Sequence, residues 1–377
     1  MVPLSDANGP RTMNKTMTLE RVNGAAVAAS DGARPLGRDD NAMLKAAANL
    51  TRDLNNPRPL IYWADMLCSA VLGYVALALA INLDSNLAGI AAGLVAVLAL
   101  YRAGSFIHEL THLKPNAVPG FKLVWNLAVG VPLLIPSFMY EGVHNQHHAK
   151  TYYGTANDPE YLPLALMKPW TLPVFLIAAA LAPIGLLFRF AILSPLSLFL
   201  PRLRDTVVAK YSGLQINPAF RRHWPDGNFR RDWIWQETAA SIWAITLVAL
   251  VATGTIPLRD FAILLGIASG VMFLNQVRTL VAHLWENDGE PMSVTAQYLD
   301  SVNVPPPATL PALWAPVGLR YHALHHLLPG VPYHNLGEAH RRLVRELASD
   351  SPYFASNHRG LSPLVARLAA SSWKGVR

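Results

Sequence analysis

The sequence predicts an all-α integral membrane protein with four transmembrane helices in two hairpins, interfacial or re-entrant segments between them, and a cytoplasmic cap rich in histidine. Three observations predict it. Hydrophobic residues fill 52% of the 377 positions and charged residues only 15%, against roughly 25% charged in an ordinary soluble protein. Four apolar runs are long enough to cross a hydrocarbon layer, which takes about 20 residues of helix. Nine of the thirteen histidines gather at the ends of those runs or in the polar segments beyond them.

In chain order, residues 1–40 mix Gly, Pro, Asp, Arg and Lys without the continuous apolar core of a signal peptide, and are expected to be a disordered cytoplasmic leader. Residues 40–55 carry Met43, Leu44, Leu50 and Leu54 at helical spacing before Pro57, which predicts a short amphipathic helix on the membrane surface. The division expected is a leader with its helix over 1–55, a membrane domain over 56–350, and a short cytoplasmic tail over 351–377. The apolar runs 60–82 and 87–107, parted by Asp84-Ser85-Asn86, form the first hairpin. The runs 235–253 and 261–282, joined through 254–260, form the second.

Two other apolar stretches carry prolines. Residues 121–139 hold Pro132 and Pro136, and a crossing there would put His108 and His144 on opposite sides of the membrane, so the segment is expected to be re-entrant or interfacial. Residues 162–193 hold Pro163, Pro169, Pro173 and Pro183 and are expected to be interfacial or a short in-and-out hairpin. Arg202, Arg204, Lys210, Arg221, Arg222, Arg230 and Arg231 follow them, whereas the linkers 84–86 and 254–260 hold only Arg259 as a base. The positive-inside rule then places both termini in the cytoplasm.

The same rule accounts for the net charge of +7 and the pI near 9.5, so nucleic acid is not expected as a partner. Membrane lipid is. The single cysteine, Cys68, lies in an apolar run. It leaves no disulfide framework, zinc ribbon or iron–sulfur cluster, and any redox partner is expected to be a separate protein.

Chemistry is carried by three motifs: His-Glu-Leu-Thr-His (108–112), His-Asn-Gln-His-His (144–148) and His-Ala-Leu-His-His (322–326). His108 and His112 are four apart on a helical extension, so their imidazoles leave one face a turn apart. In the other two motifs the first and last histidines share a face and the middle one projects about a quarter-turn aside. One motif can therefore feed two neighbouring metals. His283 stands at the end of the fourth run. His223, His340 and His358 are left as ordinary interfacial histidines. Eight or nine imidazoles exceed the three or four protein ligands of a zinc ion and suit two metals, while nitrogen donors fit iron, copper or zinc alike. The first motif also reads HExxH, in which Glu109 would be the general base of a zinc metalloprotease. The other two motifs would then have no purpose.

Taken together, these motifs and the paired apolar runs resemble the membrane fatty acid desaturase and hydroxylase superfamily, whose signature is the three boxes HxxxH, HxxHH and HxxHH around two hairpins. The likeness covers about residues 60–342, and the run 321–329 continued by Pro332-Tyr333-His334-Asn335 looks like the third box of bacterial acyl desaturases. The resemblance implies a bacterial inner-membrane enzyme with its boxes facing the cytoplasm. It implies two iron ions bound by His108, His112, His144, His147, His148, His322, His325 and His326, with His283 as the ninth ligand. It also implies O2 as co-substrate, removal of two hydrogens from a long acyl chain to leave a double bond, and electrons from a donor such as ferredoxin or a cytochrome b5-like protein. Sibling chemistries of the superfamily are hydroxylation, ketone formation and alkene-forming decarboxylation. One departure stands out: animal acyl-CoA desaturases carry an asparagine one turn before the extra histidine, and here that position is Thr279. Glu109, Glu141, Asp158, Glu160 and Glu286 are candidates to orient ligand imidazoles through the second ring nitrogen.

Overall fold

The computed structural model describes residues 39–374; the expected leader falls outside them, apart from its last two residues. Among the described residues every regular element is helical, and only isolated β-bridges join the loops. Helix Asn41–Leu50 begins where Asp40 accepts the Met43 N–H at 2.9 Å, an N-cap that satisfies one of the free donors of the first turn. Its apolar face is covered by protein and not by membrane: Met43 and Ala47 pack with Ala323, Leu324, Ala339 and Leu343.

The first hairpin consists of helices Pro59–Asn82 and Asn86–His112. Pro59 occupies the first turn, where its missing N–H costs nothing, and Ser85 caps the second helix. Gly73 makes the crossing possible, since a Cβ there would stand 2.6 Å from Leu100 Cδ2; small residues let membrane helices approach closely. Asp65 of the first helix and Arg102 of the second are joined by a two-pronged pair at 2.6 and 2.7 Å, and Tyr333 donates to the same carboxylate at 2.9 Å. The second hairpin consists of Gly227–Ala252 and Leu258–Leu280. Its turn lies beside the first one, because Arg259 donates to the Ile81 carbonyl at 3.0 Å. Both turns therefore stand at one end of the bundle, and His108, His112 and His283 stand at the other.

Five helices, not the expected four, are long and apolar enough to cross a membrane. The fifth is Thr171–Ser197, inside the stretch expected to be interfacial or a short hairpin. Its prolines did not break it for local reasons. Pro173 lies in the first turn, where no helical N–H is needed, and Pro183 is accommodated within the helix. The backbone then widens into a π turn over Arg189–Leu193, just before Pro195. Near its start Phe175 packs with Leu280, and near its end Arg189 reaches Ser212 and Glu237.

The stretch 121–139 contains the short helical pieces Phe121–Trp125 and Asn126–Gly130 and a 3-10 turn over Ser137–Met139. Asn126 then folds it back on itself by accepting the Ser137 N–H at 2.8 Å. The residues after Ser351 pack into the same body: Tyr353 stacks on Tyr298, and Ser372 donates to the Leu164 carbonyl at 2.8 Å.

Glu237 is the hub of a buried charge network. It accepts Arg189 at 2.8 Å, Arg204 at 2.9 and 2.7 Å, and the Trp233 indole at 2.9 Å. Breaking a buried pair by removing one partner costs about 3–5 kcal/mol, because a charge is left without compensation. Glu237→Ala is therefore expected to lower the thermal midpoint of the detergent-solubilised protein sharply. Glu237→Gln, which keeps part of the hydrogen bonding, is expected to lower it less.

Candidate metal centre

Four separate segments deliver the nine histidines. His108 and His112 lie on the final turn of Asn86–His112. His144 and His147 lie on the short helix Val143–His147, which starts after Gly142 in the left-handed region (φ 78°), and His148 follows at its end. His283 comes three residues after Leu280, in a loop shaped by Trp285, whose backbone has φ 61°. Such a conformation costs a non-glycine residue about 1–3 kcal/mol. Here the Trp285 ring is fully buried and its indole donates to the Leu280 carbonyl at 2.9 Å, which holds the turn. His322, His325 and His326 lie on His322–Leu327.

These side chains converge in two groups. His108, His112, His144, His148 and His325 form one, and His147, His283, His322 and His326 form the other; within each, the ligand atoms lie within 4.8 Å of one another. The split follows the helical spacing. Positions four apart, His144 with His148 and His322 with His326, share a group, and the third histidine of each motif turns to the other group. Paired Nε2 atoms stand 2.9 Å apart for His144 and His148, 3.1 Å for His112 and His325, and 3.0 Å for His283 and His322. Nitrogens about 2.1 Å from a shared ion and at right angles to each other sit ~3.0 Å apart, so these separations suit a metal ion.

Burial supports the same reading. His108 is 5% exposed and neither of its ring nitrogens has a partner among the described residues. A buried polar atom left so costs about 1–3 kcal/mol, and a metal would satisfy it. Burial and the charges of neighbouring imidazoles hold His144 and His148 well below the ordinary imidazole range, so both stay neutral with a lone pair to offer.

Outer contacts fix several rings. His147 Nδ1 stands 2.9 Å from Asp158, which is fully buried and also accepts the Gly154 and Glu160 N–H groups at 2.8 Å each. Although burial works against it, the Asp158 carboxylate raises the His147 pKa. His144 Nδ1 meets Glu160 and the Tyr140 hydroxyl, both at 2.9 Å. His283 Nδ1 meets the Tyr153 hydroxyl at 2.8 Å, and that hydroxyl donates onward to Asp300 at 2.9 Å. Burial pushes Asp300 up to about 6 and Glu160 up to about 7.

Of the five acidic candidates, Asp158 and Glu160 hold ligand-type imidazoles. Glu141 pairs with Lys122 and Glu286 with Arg367, at 2.8 Å each. Glu109 accepts the Tyr62 hydroxyl and the Tyr333 N–H, so its carboxylate is committed to packing the third motif onto the first hairpin and is not free to act as a protease base. Thr279 donates back to the Asn275 carbonyl at 2.9 Å within its own helix. Sequence reasoning missed Tyr140, Tyr153, Asp300 and Ser301. Tyr140, four residues before His144, had a local signal; Asp300 reaches His283 through Tyr153 and had none.

The site can now be set beside known proteins. A model of the fatty acid desaturase family matches residues 84–357. The chain belongs to the fatty acid desaturase family. Among its relatives is a protein named ceramide hydroxylase from Caulobacter vibrioides (strain NA1000 / CB15N), 50% identical over 322 residues that span 85% of this chain and 92% of that one. No solved structure matches the chain. As a member of the desaturase family the protein is a di-iron oxidoreductase and a multi-pass membrane protein, which removes the metalloprotease reading. Of the outcomes expected within the family, this relative is named for hydroxylation, the sibling chemistry, and not for desaturation.

Partners that orient a metal-binding imidazole typically contribute 10–100-fold to metal affinity. Asp158→Asn, which keeps the shape and loses the charge, is expected to lower metal affinity by about tenfold or more. Competition with a chelator, read by elemental analysis of the purified protein, measures it; Glu286→Gln is the matched variant expected to leave affinity unchanged.

Proposed function

We propose that the chain is a membrane-bound di-iron hydroxylase that places one oxygen atom of O2 on a carbon of a ceramide-type lipid. What supports this reading above desaturation is the 50% identity, over most of both chains, to a protein named for that activity, together with the two histidine groups. The balance is a C–H bond and O2, with two electrons and two protons, giving a C–OH bond and water. Two irons, when bound, supply the reductive activation of O2. The nine histidines would hold them, five in one group and four in the other.

The chain's own residues set the conditions. Asp158, Glu160 and the Tyr153–Asp300 pair keep the Nδ1 side of their imidazoles engaged, so that each Nε2 lone pair faces inward. Burial of the cluster keeps water from a strongly oxidising site. The apolar helices beneath it offer the lipid a path from the bilayer. Electrons come from a separate donor, a ferredoxin or cytochrome b5-like protein. The exposed Arg202, Lys210, Arg221, Arg230 and Arg231 offer an acidic donor a surface on the side proposed to face the cytoplasm. Desaturation of an acyl chain is the second reading, favoured by the box pattern HxxxH, HxxHH, HxxHH followed by Pro332-Tyr333-His334-Asn335.

The test is expression in a bacterial host supplied with ceramide under heavy-isotope O2, followed by mass spectrometry of the lipids. Ceramide that gains one labelled oxygen atom is expected. A product that has lost two hydrogens and gained no label would establish desaturation and overturn the hydroxylase reading.

A further inference from the structure

One charged group beside the cluster has no internal purpose. Arg278 lies on the last turn of Leu258–Leu280, five residues before His283, and is 8% exposed. Among the described residues its side chain makes no hydrogen bond, its Nε is buried without a partner, and no carboxylate lies within ion-pair distance. Among the described residues the other buried arginines, Arg189 and Arg222, are both engaged. Arg189 holds Glu237, Ser194, Ser212 and the Tyr211 carbonyl, and Arg222 donates to the carbonyls of Ser212 and Glu141. A buried cation without a partner is costly, and an ionisable group held so inside a membrane helix is a sign of function.

Its surroundings say what it awaits. Arg278 and His322 line one narrow cleft of about 10 Å³, room for a single polar atom, whose remaining walls are largely apolar, including Val302, Val304, Trp314 and Leu319. Arg320 also reaches this cleft, but its guanidinium is taken by the carbonyls of Val304 and Ala308 at 2.8 and 2.7 Å. Sharing this cleft with His322, and standing one helix turn before the loop that carries His283, the guanidinium lies beside the four-histidine group. A purely hydrocarbon segment bound beneath the metals would leave this cation unsatisfied. A lipid head bearing hydroxyl and amide oxygens would satisfy it, because a guanidinium presents several donors in a planar fork.

We propose that Arg278 binds the uncharged oxygens of a ceramide-type head and so decides which carbon of the lipid faces the four-histidine group. The assignment rests on the hydroxylase reading above and sharpens it: the carbon attacked lies within a few bonds of the polar head and not midway along a tail. Arg278 is then a specificity-determining residue, and the metals do not depend on it.

The test uses the full-length, iron-loaded protein in lipid nanodiscs, fully oxidised and without reductant, so that binding is read without turnover. Radiolabelled ceramide and a headless alkane of equal chain length are the two probes, and iron is counted in each sample. Losing hydrogen bonds to a charged group, Arg278→Gln is expected to weaken ceramide binding by about tenfold or more while alkane binding and iron content stay unchanged. Arg278→Lys keeps the charge without the fork and is expected to fall between the two. It carries the test if Arg278→Gln does not accumulate.

Equal ceramide affinity in the intact chain and in whichever variant accumulates overturns the proposal, as does an equal loss of alkane binding, which would mark a structural role. An intact chain that binds the alkane and no ceramide overturns the functional reading itself, a result distinct from either of these.

Discussion

Nine imidazoles, six of them buried and three partly so, are turned toward two points, and the rest of the molecule serves that convergence. Without cations the arrangement is unfavourable: among the described residues His108 has no hydrogen-bond partner on either nitrogen, and His322 and His325 each leave Nδ1 unpaired. Several Nε2 atoms face one another at about the separation of neighbouring ligands on one ion. A fold selected for packing alone would have filled this volume with leucine. The two-hairpin frame ties both turns together at the far end, so that His108, His112 and His283 emerge together at the near one.

The loops between the helices then close the site through contacts distant in sequence. Glu109, inside the first motif, accepts from Tyr62 and Tyr333 and so locks the third motif onto the first hairpin. Tyr153, five residues beyond the second motif, bridges His283 to Asp300. The Asn41–Leu50 helix covers the outer side of His322–Leu327. Each metal group draws on segments separated by membrane helices, so local unfolding at one motif would loosen both groups. Arg278 is the exception: among the described residues its charge near the cluster finds no partner, which is why a lipid head is assigned to it.

The convergence of the histidines was legible in the sequence because helical spacing is a local property. Positions four apart share a face whatever else the chain does, and all nine expected histidines converge. Glu160 and Asp158 were legible as acids near the second motif, while nearness alone misled for Glu141 and Glu286, whose partners Lys122 and Arg367 come from elsewhere. The stretch 162–193 was expected to be interfacial or a short in-and-out hairpin from its prolines and from the basic residues after it, yet it forms most of a fifth helix long and apolar enough to cross a membrane, because Pro173 in the first turn breaks nothing and a π turn absorbs the irregularity before Pro195. The face of Asn41–Leu50 was read as membrane-seeking because amphipathicity does not say whether lipid or protein covers it. Asp300 and Arg278 were invisible for a shared reason: their roles exist only after distant segments meet.

Whether these histidines hold two irons through nitrogen donors can be read by metal analysis combined with X-ray absorption at the iron edge on the purified protein. About two irons per chain and a nearest shell dominated by nitrogen at roughly 2.1 Å are expected, with the outer-ring scattering pattern of imidazole. One zinc per chain, or a nearest shell dominated by oxygen or sulfur, would contradict that assignment.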